Sequence, residues 1–154
     1  MRNKQKGFSL IELLIVVAII LIIAAIAIPN LLRSKMAANE ASAVATLRTL
    51  NTASISYSTT YGGYPPNLVS LGPVTAGTPP SSSSADLIDN ELAVDPATKS
   101  GYTFTYTNTA GYYTITANPV TVGVTGQRYF FTDQSGVIRV NTAGVASVSN
   151  SPLS

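Results

Sequence analysis

KGFSLIELLIVVAIILIIAAIAIPN, residues 6–30, is the stretch that decides the architecture. From Leu13 to Ile28 sixteen apolar residues follow one another without a break, and between Phe8 and Ile28 only Ser9 and Glu12 are polar. As a helix the run from Phe8 to Ile28 spans about 31 Å at about 1.5 Å per residue, close to the ~30 Å of bilayer hydrocarbon. It is long enough to cross a membrane. Arg2, Lys4 and Lys6 precede it and favour a cytoplasmic N-terminus. Arg33 and Lys35 follow it, so the bias is modest, and their long stems suit snorkelling at a membrane surface.

Three readings fit a basic start followed by an apolar run. One is a secretory signal peptide, for which Ala25-Ile26-Ala27 offers a cleavage-like site. Another is a plain membrane anchor. Both leave Glu12 unexplained. A carboxylate inside such a run costs about 2.5–3.5 kcal/mol near a helix centre, less near an end, and needs a partner. No other charge lies in the segment.

The third reading supplies the partner. Lys6-Gly7-Phe8-Ser9-Leu10-Ile11-Glu12-Leu13-Leu14, the apolar run behind it, and its close at Ala24-Ala25-Ile26-Ala27-Ile28-Pro29 resemble the type IV prepilin signature. The resemblance is strong over residues 4–60 and weak beyond. It implies a leader, residues 1–7, that a prepilin peptidase removes by cutting after Gly7. It implies that the same enzyme methylates Phe8, the new N-terminus. It also implies that Glu12 neutralises the N-terminal amine of a neighbouring subunit. The physics agrees, because a buried carboxylate is tolerable when paired with a cation, and the cut itself creates one. Many members of that family carry a glycine midway along the run, where this chain has Leu21.

Residues 8–29 thus read as a transmembrane and filament-core helix. Pro29 lacks an N–H and loosens or kinks a helix, but good helix formers resume at once. Over residues 30–61 Met36, Ala43, Leu47, Leu50, Ser54, Tyr57 and Tyr61 fall on one stripe, which Val44 and Ile55 widen. Ser42, Thr49, Thr52, Ser56 and Thr60 hold the opposite side. The spacing predicts an amphipathic half of one helix over about residues 8–61, ended by Gly62-Gly63.

Residues 62–100 are rich in Pro, Gly and Ser and read as a variable surface loop, with Ser81 to Ser84 exposed. Asp86, Asp89, Glu91 and Asp95 bring four of the seven acids together. Calcium favours such oxygens, but their spacing matches no calcium loop, and a solvated acidic loop is the reading adopted. From Gly101 the period becomes two. Tyr102–Thr107 and Tyr112–Ala117 form one hairpin, and Arg128–Thr132 with Val137–Val140 a second. The fold class expected is α+β, a type IV pilin fold with the helix packed on an antiparallel sheet of about four strands over residues 101–154. The tail from Asn141 is expected to be loosely held.

Composition narrows the function. The 154 residues include no His and no Cys, which removes His/Cys zinc sites, cysteine nucleophiles, Ser-His-Asp triads and disulfides. A general base would have to be a carboxylate or a lysine, and no two are placed suggestively, so no enzyme and no cofactor are expected. The resemblance implies a major pilin that polymerises with itself into a type IV pilus-like fibre for adhesion, twitching motility or DNA uptake. The alternative is a pseudopilin or minor pilin of a type II secretion-like machine. Implied partners are the prepilin peptidase, an inner-membrane platform protein and an assembly ATPase, with no direct nucleic-acid contact. The expected location is the bacterial inner membrane before assembly and a cell-surface filament after it.

Overall fold

A computed structural model describes residues 7–109 and 111–153. The chain divides into two compact units, Met1–Lys35 and Met36–Ser154. Helix α1, Leu10–Tyr61, runs unbroken through Pro29. Its first helical residue lies two beyond Phe8, because Ser9 takes the capping position. In the first unit the helix is bare. It is long and apolar enough to cross a membrane, and none of its most apolar window is buried.

In the second unit five strands follow: β1 Ala97–Lys99, β2 Tyr102–Thr109, β3 Tyr112–Pro119, β4 Tyr129–Asp133 and β5 Arg139–Asn141. They pair in sequence order, all antiparallel. Five strands rather than four is a correction. β1 is only three residues long and shows no alternation of aromatic and Thr, so its ladder with Tyr102–Phe104 left no pattern to read. β2 and β3 each run two residues further than expected. Period two continues through Asn108-Thr109 and Asn118-Pro119, and the turn between them is correspondingly tighter.

The strand alternation places Tyr102, Phe104 and Tyr106 of β2 and Tyr113, Ile115 and Ala117 of β3 on one buried face. Ala43, Leu47, Leu50, Ser54 and Tyr57 of α1 are buried against it. Val44 packs on this core, but Ile55 is 49% exposed. At about 100° per residue Ile55 lies roughly 120° around the helix from Ala43, beyond the edge of the buried arc. Asn51 also faces the core. Its amide Nδ2 donates to Thr132 Oγ1 at 2.8 Å and its Oδ1 accepts from Tyr113 Oη at 3.1 Å.

The segment between helix and sheet is more than surface. Leu68, Leu71, Ala85, Ile88 and Leu92 are buried in the core. Residues 85–88 donate backbone N–H groups to the carbonyls of Ser70, Leu71 and Gly72, which folds the segment back on itself. A Cβ on Gly72 would sit 2.6 Å from that of Ala93, so only glycine permits the approach. Of Ser81 to Ser84, all expected to be exposed, the first three are, while Ser84 is half-buried and bridged to Ser81. The tail is held, contrary to expectation. Val140 N–H donates to Ser151 O, Leu153 N–H to Ile138 O, and Ala146 is buried. Backbone pairing and short-range side-chain bonds, such as Ser147 Oγ donating to Asn150 Oδ1 at 3.1 Å, hold it, and composition reveals neither.

Candidate functional site

Two carboxylates on α1 stand out for their hydrogen bonding. The first is Glu12, in the opening turn. Ser9 N–H donates to Glu12 Oε2 at 2.9 Å. That is one half of a capping box, in which the third helical residue returns to satisfy the capping residue's own N–H. The positive end of the helix dipole favours the carboxylate there as well. Phe8, just before it, is 86% exposed, and nothing crowds Gly7. Residues 1–6 of the expected leader lie outside the described residues. Gly7, Phe8 and Glu12 therefore sit within six consecutive positions at an open helix start, and the apolar side chains behind them face no partner. At Pro29 the Ala25 carbonyl has no N–H to receive inside the helix.

The second carboxylate is Glu40, which the stripe did not single out. It is 8% exposed. Its Oε1 accepts from Gln127 N–H at 2.8 Å and Arg128 N–H at 3.2 Å, and its Oε2 accepts from Arg128 Nε at 2.7 Å. Burial opposes its charge, but the Gln127 N–H and the Arg128 guanidinium outweigh burial and hold its carboxyl below the ordinary range. The signal was a carboxylate three residues before Ala43 on the apolar stripe. The partner lies 88 residues away, beyond any local pattern.

The acidic loop behaves differently. Asp89 and Glu91 both contact Lys99 Nζ, at 3.0 and 3.1 Å. Asp86 is exposed and in no ion pair among the described residues, and Asp95 Oδ1 accepts from Tyr106 N–H at 3.5 Å. Among the described residues no group of three or more such side chains is gathered as a metal site would require. Asp89 is lowered by its Lys99 contact, as an ion pair requires, and Asp95 is raised by burial.

Comparison with known proteins bears on the N-terminal segment. The family model described as the prokaryotic N-terminal methylation motif matches residues 2–28. The type IV wide pilus major component of Thermus thermophilus is 65% identical over 40 residues, 26% of this chain and 30% of that protein. The type IV major pilin protein of Myxococcus xanthus is 48% identical over 54 residues, 35% of this chain and 24% of that protein. The chain thus spans under a third of the length of these curated relatives. No solved structure matches.

Proposed function

We propose that this chain, a member of the type IV pilin family by its N-terminal segment, is a structural subunit that polymerises with itself into an extracellular filament. The observation that carries the reading is a capped helix start bearing Gly7, Phe8 and Glu12 ahead of an apolar helix with no buried residue in its most apolar window. A helix that bare needs lipid or copies of itself. It serves both in turn: it anchors the subunit in the inner membrane and then forms the filament core.

Cleavage between Gly7 and Phe8 frees an amine, which methylation leaves cationic. Glu12 of a neighbour answers that cation once both have left water. The capping bond from Ser9 steadies Glu12 before that exchange and lowers the cost of carrying a carboxylate in lipid. Around this subunit the reading places a prepilin peptidase that also methylates, a platform protein in the inner membrane and an assembly ATPase. Adhesion, twitching motility and DNA uptake are the roles such a fibre would serve.

Glu12→Ala tests the assignment. Cleavage after Gly7 should persist, because the cut bond lies outside the helix, while filament in the sheared fraction is lost or badly reduced. Normal filament yield from Glu12→Ala would remove Glu12 from this role.

A further inference from the structure

The loop joining β3 to β4, residues 120–128, is braced along its length. Val120 N–H donates to Gly101 O at 3.0 Å, Gly123 N–H to Gly126 O at 2.9 Å and Thr125 N–H to Thr121 O at 2.9 Å. Two side chains of α1 hold its second half. Asn39 Nδ2 donates to Thr125 O at 2.8 Å, and Glu40 Oε1 accepts from Gln127 N–H at 2.8 Å. Gly126 lies against the Tyr102 ring so closely that no Cβ would fit. The loop is thus tied to one short stretch of the helix, Asn39-Glu40.

This bracing leaves three valines in the open. Val120, Val122 and Val124 are 55%, 57% and 56% exposed. Residues 120–127, VTVGVTGQ, carry no charge. Arg128, at their end, is already engaged: its Nε donates to Glu40 Oε2, and its guanidinium lies 5.5 Å from the centroid of the Phe130 ring. The tip therefore offers apolar side chains and no free charge of its own. Apolar side chains fixed in advance suit a contact with surroundings less polar than water, because their ordering cost is met beforehand.

The helix stretch that holds the tip follows soon after the apolar run. Leu31 and Leu32 extend the exposed apolar surface of α1 beyond Ile28. Asn39 follows Leu32 by seven residues of the same helix, about 10 Å at ~1.5 Å per residue. Headgroups fill about 5–8 Å on each side of a bilayer. The remainder is within the reach of the three residues from Thr125 back to Val122, at most about 10 Å of chain. Arg33 and Lys35, in the headgroup stretch, are exposed and form no ion pair among the described residues. From Pro29 to Ser42 the only acid is Glu40, which Arg128 neutralises. Anionic headgroups would meet two basic side chains there and no exposed acid.

We infer that in the membrane-anchored subunit the Val120–Val124 tip is a second lipid contact, seated at the surface of an anionic bilayer beside Arg33 and Lys35. The partner is the bilayer rather than a second copy for two reasons. The anchor holds the tip near that surface in the same chain, at high effective concentration, so a contact of three valines suffices. Lipid also demands no shaped or charged counterpart, and the tip presents neither. The contact orients the second unit before assembly and is given up when the subunit leaves the membrane. It rests on the anchored-subunit reading above and adds a site to it.

The chain has no cysteine, so one introduced thiol takes one environment-sensitive dye. The full chain is reconstituted in vesicles of phosphatidylethanolamine and phosphatidylglycerol that carry a quencher on the lipid just below the headgroups. Three variants are labelled: Val122→Cys at the tip, Leu21→Cys in the apolar run and Ser82→Cys as reference. Ser82 is exposed, and its carbonyl accepts from Tyr57 Oη, eighteen residues along α1 from Asn39. Expected is blue-shifted emission and lipid quenching at Val122, with the Ser82 dye water-like and the Leu21 dye shielded. A Val122 dye as water-like as the Ser82 dye, with Leu21 still shielded, overturns the inference and leaves the anchor standing. A water-exposed Leu21 dye overturns the anchored reading and the tip contact with it. Equal quenching at Ser82 and Val122 overturns the inference too, because the contact then belongs to no particular site. So does shielding at Val122 that grows with copies per vesicle but shows no lipid quenching, which assigns the tip to a second copy. Val124→Asp, at an exposed position, should remove most of the Val122 quenching while leaving Leu21 shielded. Unchanged quenching in that variant contradicts a contact made by the valines.

Discussion

Glu12 and Glu40 solve one problem in two ways. Each is a carboxylate on α1, Glu12 inside the apolar run and Glu40 on the buried face, and each accepts from backbone N–H. Glu12 has one such donor, from its own helix start, and stays open to an incoming cation. Glu40 has two and a guanidinium, and it is closed. Removing the Glu40 charge while keeping an acceptor, as in Glu40→Gln, should destabilise the second unit by about 1–3 kcal/mol at neutral pH. The folded carboxyl is held below its ordinary 4.5, so this stability is present above that value and fades as pH falls through the folded one. Denaturation of the detergent-solubilised chain should therefore show wild type and Glu40→Gln converging in acid and separated at neutral pH. A gap that stays constant with pH would mean that the charge contributes nothing. Glu12 was legible in the sequence because it interrupts an apolar run. Glu40 was not, because its meaning depends on a loop that only folding brings to it.

At the scale of elements, the helix half beyond Met36 and the sheet meet across a mixed seam. Leu47 and Leu50 are fully buried there, and Leu47→Ala should cost about 2–5 kcal/mol in chemical denaturation, while Ile55→Ala, on an exposed edge, should cost far less. Equal losses at the two positions would refute the burial order. The polar part of the seam sets register: Asn51 joins Tyr113 to Thr132, and the Tyr106 and Tyr113 rings stack with centroids 5.6 Å apart. Burial pushes the Tyr113 phenol from an ordinary 10.0 up to about 12. Its neutral form is the one the fold prefers. The stability it contributes is complete below the ordinary value and is lost as pH rises through about 12. Tyrosinate absorbance of the folded chain should lag that of the denatured chain over this range, and coincident curves would contradict a buried phenol. The long helix and the first hairpin were legible because periods of 3.6 and 2 leave a mark in the sequence. The second hairpin was legible only in outline: its strands are Tyr129–Asp133 and Arg139–Asn141, not Arg128–Thr132 and Val137–Val140. β1, the buried residues of 62–100 and the anchored tail were not, because backbone pairing over short, irregular stretches leaves none.

At the scale of the molecule, the basic excess of the sequence belongs to its start. Removal of seven residues from 154 leaves 147, and with Arg2, Lys4 and Lys6 gone, six basic side chains face seven acidic ones. On the proposed cut after Gly7 the side-chain charge becomes −1 in place of +2. So few charges and so much uncovered apolar helix fit the self-assembling subunit proposed above. The most direct measurement is mass spectrometry of the principal protein in filaments sheared from cells that carry this chain. The account predicts a 147-residue species beginning at N-methylated Phe8. A species beginning at Ile28, or filaments that lack this chain, would contradict it.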